Sequence, residues 1–266
     1  MNSLLVVFRE KEESILGWGF LLLVLLGWEA LPKLVTLPKG LSLFFTTPYH
    51  ILVALYDLFN KGDIAHHFYI STTEFVIGLG LSIIVALPLG IIMGRFTTIN
   101  AMFDPFVTAF NATPRLVFLP LVLLWVGLGI WSKIVIVFIG ALFPLLINTY
   151  EGVKNVDKVL VNVVRSFGAG EWQVMKMVVL PNSLPYIIAG LRLAIGRAIL
   201  GVVVGEFFGA SEGLGFVMAA AAGNYQVDIL FAGLILFMGI SLIMTMSVKR
   251  LESRLSSWRP EQVKTF

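Results

Sequence analysis

The side chains best suited to chemistry stand inside long apolar runs of the sequence. Arg192, Arg197 and Glu206 fall within one such run, and Glu74 opens another. A charge at the centre of a bilayer costs about 3 kcal/mol or more unless it is paired or hydrated. Residues of this kind therefore mark either structural ion pairs or contacts with a charged solute that crosses a membrane.

The two arginines cannot both serve the same contact. Five residues separate Arg192 from Arg197, which on a helix is about 500° of rotation, so the two side chains point about 140° apart. We expect Arg192, near the start of its run, to anchor the helix by extending toward the membrane surface. For Arg197, a position on a solute path and a structural role both stay open. Glu206 is a candidate for an outer gate, with an ion pair or a helix cap as the alternative.

No pattern of an enzyme active site accompanies these charges. The sequence has no cysteine, which excludes thiolate chemistry and disulfides. Its histidines show no metal-binding spacing with carboxylates, and we expect the adjacent His66 and His67 to be solvated. The pattern G-x-x-x-x-G-K-[ST], which would hold ATP, does not occur. We predict that the chain is not an enzyme and holds no metal.

Composition places these residues in a membrane protein. Of the 266 residues, 58% are hydrophobic and 13% are charged, whereas a soluble domain has about 25% charged residues. So few polar side chains cannot cover a water-facing surface, and the excess apolar surface requires a lipid bilayer. The apolar runs are continuous and do not alternate, which excludes a β-barrel. We expect no nucleic acid as a partner.

Six runs reach the length of about 20 apolar residues that a membrane span needs. The fold class that we predict is an all-α integral membrane protein with six transmembrane helices. Residues 1–14 precede a transmembrane domain of 15–250, and residues 251–266 follow it as a tail. The predicted spans are 15–32, 74–94, 106–127, 133–150, 183–208 and 229–248.

The distribution of Lys and Arg predicts that both termini lie in the cytoplasm. In that orientation the outer segments contain only Lys33, Lys39 and Lys61. The cytoplasmic segments contain 12 basic residues, namely Arg9, Lys11, Arg95, Lys154, Lys158, Arg165, Lys176, Lys249, Arg250, Arg254, Arg259 and Lys264. This 12-to-3 asymmetry fits a multi-pass protein of a bacterial inner membrane.

The cytoplasmic segment 151–182 is too polar to be a span. Apolar residues recur at helical spacing on both sides of the run Gly168–Gly170, which predicts two short amphipathic helices with a break at the glycines. Pro181 and Pro185 mark the place where the fifth span begins.

Within this segment, the stretch from Asn162 to Pro181 resembles the cytoplasmic "EAA" loop of importer permeases in the ATP-binding-cassette superfamily. That pattern is E-A-A, three residues, G, nine residues and I-x-L-P. Gly168, Leu180 and Pro181 stand at the matching positions, and Val178 replaces the isoleucine. Asn162-Val-Val stands where the pattern has E-A-A. The resemblance extends over about 70–258 and is to the nitrate/sulfonate/taurine type, which also serves bicarbonate, aromatic acids and vitamin precursors.

The resemblance implies a type I importer fold in which this loop docks into a groove on an ATPase. The implied partners are two ATP-binding-cassette ATPase subunits, a second copy of this permease and an extracytoplasmic solute-binding protein. No cofactor is expected on this chain, because ATP and Mg would bind to the ATPase. The residues expected to couple the chain to that ATPase are Arg165, Gly168, Ala169, Trp172, Met175, Val178, Leu180 and Pro181.

A second group of residues is a candidate for the translocation path. The run Asn111-Ala-Thr-Pro114-Arg115 begins or interrupts the third span, and such breaks are tolerated where they line a cavity. An ordinary proline kink is the alternative. The candidate path residues are Asn111, Pro114, Arg115, Arg197 and Glu206. The expected function is alternating-access import of a small solute, for which an anion is favoured.

Two other classes of transporter stay open. An ion-coupled secondary transporter or channel would use intramembrane carboxylates, of which the spans offer Glu74 and Glu206. A vitamin importer with a separate substrate-capturing membrane subunit would carry Ala-Arg-Gly triplets in its coupling helices, which this sequence lacks. The sequence does not identify the solute.

Overall fold

The computed structural model of the chain is built from helices. It describes residues 2–35, 38, 40, 43–62 and 64–255, with the backbone alone for 2–14, 61, 115 and 251–255. These residues contain no strand. The helices are α1 (Asn2–Leu34), α2 (Pro48–Lys61), α3 (Ile64–Arg95), α4 (Thr97–Ala112), α5 (Phe118–Val126), α6 (Ile130–Lys154), α7 (Lys158–Ser166), α8 (Glu171–Val174), α9 (Leu180–Gly209), α10 (Leu214–Gly223) and α11 (Val227–Leu255).

The chain forms two compact units. The smaller comprises Met1–Ile64 and Met218–Leu234, and the larger comprises Ala65–Val217 and Ile235–Phe266. In the smaller unit, Ile51 and Ala54 of α2 are buried with Ala232 of α11. Trp28 packs edge-on against Phe231, with the ring centres 5.5 Å apart.

Close helix contact in the larger unit depends on glycines. A Cβ atom on Gly201 of α9 would lie 2.9 Å from the Cα of Val137 on α6, and one on Gly140 of α6 would lie 3.0 Å from the Arg197 carbonyl oxygen. Helix α3 approaches α6 in the same way at Gly90, where a Cβ would lie 2.8 Å from the Leu146 carbonyl oxygen. Small residues at these crossings let helix backbones pack tightly inside a membrane.

Within the part of the chain that the structure describes, five helical stretches are long and apolar enough to cross a membrane. They are Ile15–Leu34, Ile64–Arg95, Ile130–Lys154, Glu171–Gly209 and Val227–Arg250. Each contains one whole predicted span and extends beyond it at one or both ends. Helix α3, for example, begins at Ile64, ten residues before the predicted start at residue 74.

The run predicted as the third span, 106–127, is not one continuous helix. Helix α4 ends at Ala112, a short 3₁₀ turn covers Arg115–Val117, and α5 begins at Phe118. The cause is Pro114, which has no N–H to donate and disfavours helical backbone at the residue before it. Thr113 is accordingly extended, with φ −73° and ψ 130°.

Alanine substitutions at two glycines of α9 would test the packing of α9 on α6. A Cβ on Gly190 would lie 2.6 Å from the Cβ of Asn148, whereas one on Gly196 would have no atom within 4 Å. We expect Gly190→Ala to destabilise the protein by about 1–3 kcal/mol through overpacking. Gly196→Ala should be neutral or stabilise by up to about 1 kcal/mol through helix propensity. Thermal unfolding in detergent, followed by tryptophan fluorescence, measures the difference, and equal midpoints for both variants would contradict this packing.

Candidate functional site

The segment after α6 forms the helix–break–helix that the sequence predicts. Helix α7 begins after Asp157, whose side chain accepts a hydrogen bond of 2.7 Å from the Val159 amide. It ends at Ser166, and Gly168, two residues later, has φ +82°. The Gly168 amide donates to the Arg165 carbonyl, and the Ala169 amide donates to the Val164 carbonyl. This is a Schellman ending, and its left-handed residue is most easily a glycine.

A group of three charged side chains fixes the chain just after this break. Arg165 donates a hydrogen bond of 2.7 Å to one carboxylate oxygen of Glu171, and Arg95 donates to the other. Both arginines remain partly accessible to solvent, so each pair contributes about 1 kcal/mol or less to stability. The group instead holds the end of α3, the end of α7 and the start of α8 in one arrangement.

The inner face of the segment belongs to the core of the larger unit. Val174 and Val179 are buried against Val153 of α6, and Ala169 and Met175 pack on the same cluster. Val178 is also buried. Of the predicted coupling residues, Ala169, Met175 and Val178 therefore support the segment from within in this conformation.

The outer face of the segment is apolar and exposed. Phe167 is 87% exposed and Trp172 is 74% exposed, and they lie on either side of the Gly168 break. Val159 and Val163 of α7 are exposed as well. The sequence predicted Trp172 for this face but missed Phe167, whose signal was an apolar residue directly before the glycine.

The second helix of the segment does not stop before the membrane. Met175–Val179 forms a π-helical turn that continues into α9, and Leu180 and Pro181 lie in the first turn of that helix. A proline is tolerated there because the first amides of a helix need no partner inside it. The predicted beginning of a separate span at Pro181 is thus a change of helix type within one continuous stretch, Glu171–Gly209.

Two of the predicted path residues share a pocket. The pocket has a volume of about 270 Å³, and Arg197 and Pro114 both line it. Its other lining residues are Leu116, Ile136, Gly140, Leu200, Gly201 and Val204. Asn111 is exposed near the end of α4 but is not part of this lining. The side chain of Arg115 lies outside the described residues.

Glu206 is located elsewhere and is almost completely buried, with 1% of its surface exposed. One carboxylate oxygen accepts a hydrogen bond of 2.5 Å from the Ser71 hydroxyl, and the other accepts one of 2.6 Å from the Gly215 amide. The Ser71 hydroxyl also accepts from the Leu214 amide at 2.9 Å. Glu206 therefore holds the start of α10 against α3 in this structure.

Further polar residues around Glu206 were not predicted as a group. Glu74 is 0% exposed and lies close enough to Glu206 and Lys133 for electrostatic interaction. Lys133 is buried, and its side chain packs on Gly205. His67, expected to be solvated, is half-buried and accepts a hydrogen bond of 3.0 Å from the Gly213 amide. The charge of Lys133 partly compensates the two carboxylates, as buried charges require.

Comparison with known proteins gives one family. Residues 86–257 match the family described as binding-protein-dependent transport system inner membrane component. The chain is 29% identical to the taurine transport system permease protein of Escherichia coli (strain K12), over 94% of this chain and 92% of that protein. It is 28% identical to the formylaminopyrimidine transport permease protein of Halalkalibacterium halodurans, over 91% and 95% respectively.

A solved structure has a similar fold. An inward-facing form of the methionine ABC transporter MetNI matches with a TM-score of 0.63 at 16% identity, over 72% of this chain and 95% of that one.

Removal of the Glu206 carboxylate tests its role in holding α10. We expect Glu206→Ala to leave the Gly215 amide buried without its acceptor, at a cost of about 1–3 kcal/mol. Hydrogen–deuterium exchange at Leu214 and Gly215 should then be about 5- to 150-fold faster. Glu212→Ala, which removes an exposed carboxylate in the same loop, is the matched control and should leave the exchange unchanged. Equal exchange in both variants would show that Glu206 does not hold this segment.

Proposed function

Because the chain belongs to the family of binding-protein-dependent transport system inner membrane components, it is a permease subunit of an ATP-binding-cassette importer, and we propose how it is assembled. Two copies of the chain form the solute path, two ATPase subunits bind at the cytoplasmic side, and a solute-binding protein delivers the solute outside. Both termini lie in the cytoplasm, as the 12-to-3 distribution of basic residues supports.

The observation that carries this proposal is the apolar face beside the Gly168 break. Phe167 and Trp172 expose the largest apolar side chains of this face, on either side of the break. Exposed aromatic side chains of this kind are typical anchors of protein interfaces. The Arg95–Glu171–Arg165 group holds the backbone beneath them, which reduces the entropy lost when a partner binds. This is the geometry that a groove on an ATPase subunit would recognise.

We further propose that the solute is a small anion. The exposed guanidinium of Arg197 in the pocket with Pro114 supports this assignment. The relation to a taurine permease supports it as well, since taurine carries a sulfonate. The ion-coupled alternative has less support, because the strongest carboxylate candidate, Glu206, is buried and engaged by two hydrogen bonds.

Truncation of the two aromatic side chains tests the docking of the ATPase. We expect Phe167→Ala with Trp172→Ala to lose at least about 2 kcal/mol of binding free energy, which is roughly a 30-fold higher Kd. The measurement is titration of the purified permease with its ATPase subunit. Trp125→Ala with Leu128→Ala, which removes two equally exposed apolar side chains from the α5–α6 hairpin, is the matched control. Unchanged affinity in the first double variant, in a folded protein, would exclude this face as the docking site.

The source of energy is tested by transport. The solute is first identified by a thermal-shift screen of the cognate binding protein against small anions, and its uptake is then followed in cells. We expect uptake to be lost when the P-loop lysine of the ATPase is replaced, because that side chain contacts the ATP phosphates. A protonophore applied while cellular ATP is maintained should have little effect. Uptake that survives the lysine replacement and collapses with the protonophore would establish ion coupling.

A further inference from the structure

The two faces of α9 differ in what covers them. Ala194, Ile195, Ala198 and Ile199 are buried in the larger unit, whereas Arg197 and Leu200 are exposed on the other side of the helix. Among the described residues, no carboxylate lies within 4.0 Å of the Arg197 guanidinium. The described side chains therefore give this charge no ion-pair partner.

Arg197 lies near the middle of a helix that is long and apolar enough to cross a membrane. Helix α9 runs from Leu180 to Gly209, about 45 Å at 1.5 Å per residue, and Arg197 lies within about 4 Å of its midpoint. The nearer helix end is about 18 Å away along the axis, which is farther than an extended arginine side chain can reach. A guanidinium that faced lipid at this depth would cost about 3 kcal/mol or more. Its open face must therefore meet water or another protein chain.

A second feature points to water at the same place. Pro114, which ends the helical backbone between α4 and α5, lines the same pocket as Arg197. Non-helical backbone at membrane depth is tolerated where protein covers it or where it borders a water-filled cavity. Pro114 and Arg197 lie far apart in the sequence, yet both line the same pocket of about 270 Å³.

We propose that Arg197 is an anion-binding position midway along the solute path, in a water-filled space that this pocket borders. The guanidinium presents parallel N–H donors that match a carboxylate, a sulfonate or another small oxyanion. Glu206, the acidic residue of the same helix, does not oppose it. Nine residues separate the two, which places them about 180° apart around the helix and about 13 Å apart along it. The proposal deepens the proposed function, because it assumes that this chain forms the path.

The absence of cysteine from the chain allows a direct test. Leu200→Cys places one thiol in the pocket lining, three residues after Arg197. Two methanethiosulfonate reagents of similar size, one carrying an anionic sulfonate and one a cationic trimethylammonium group, are applied to the permease in membrane vesicles. Each rate is divided by the rate of the same reagent with a free thiol, and the ratio of anionic to cationic reagent is the quantity measured.

Arg197 variants in the Leu200→Cys chain connect this ratio to the guanidinium. We expect the ratio to favour the anion and to fall about tenfold in Arg197→Gln, because a charge in a low-dielectric cleft concentrates counter-ions. Arg197→Lys should restore most of the preference. Lys249→Gln removes an equal charge from α11 and should leave the ratio unchanged. Asn155→Cys, which is exposed between α6 and α7, provides the reactivity of a thiol in open water.

Two results would overturn the proposal. If neither reagent modifies Leu200→Cys while both modify Asn155→Cys, this face of α9 lies against lipid or against a second chain, and no aqueous path passes it. If both reagents react but the ratio is the same with Arg197 and with Arg197→Gln, the path is aqueous and Arg197 does not select anions. Neither measurement requires the ATPase, so a failure of the docking assignment would be separate from a failure of this one.

Discussion

The close contact between α6 and α9 is the constraint on which the rest of the larger unit depends. Along this one contact, Lys133 packs on Gly205, Gly140 faces the Arg197 backbone, and Gly152 faces Ser183. Lys133 belongs to the buried polar group around Glu206, and Gly140 lines the pocket with Arg197. Gly152 lies at the end of the contact near the segment 151–182. Because inter-helix association in a membrane depends on close packing instead of hydrophobic burial, a shift at any of these glycines would move all three sites.

The segment after α6 continues into α9 without a loop, and this continuity has a mechanical consequence. The stretch Glu171–Gly209 is helical throughout, with one π turn at Met175–Val179. Trp172 and Arg197 are thus 25 residues apart on it, roughly 37 Å at helical rise. If an ATPase moves Trp172, the displacement reaches the pocket through the body of the helix and needs no intervening loop. A π turn is a place where the winding of a helix can change. The turn at Met175–Val179, near the start of this stretch, is therefore where we expect the helix to adjust.

From the sequence, the helices themselves can be predicted better than the residues that each helix packs against. Continuous apolar runs identify five of the membrane-crossing helices, because length and hydropathy decide that property locally. The spacing from Gly168 to Pro181 likewise identifies the break and the second helix of the segment 151–182. The sequence around Pro114 indicates a break, but the count of apolar residues predicts a single span, 106–127, across it. Boundaries also moved, as at Ile64, because polar residues continue a helix beyond its apolar part.

The contact between Ser71 and Glu206 shows why the site could be predicted only in part. Their hydrogen bond joins residues 135 positions apart, and no periodicity within one helix indicates such a partner. Helical rotation does predict that Arg197 and Glu206 face opposite directions, and the structure agrees, since one is exposed and the other buried. Rotation alone does not determine whether Arg197 or Glu206 faces the interior of the protein. Glu206 meets hydrogen-bond donors of its own chain, whereas Arg197 is exposed and no carboxylate of the described residues lies beside it.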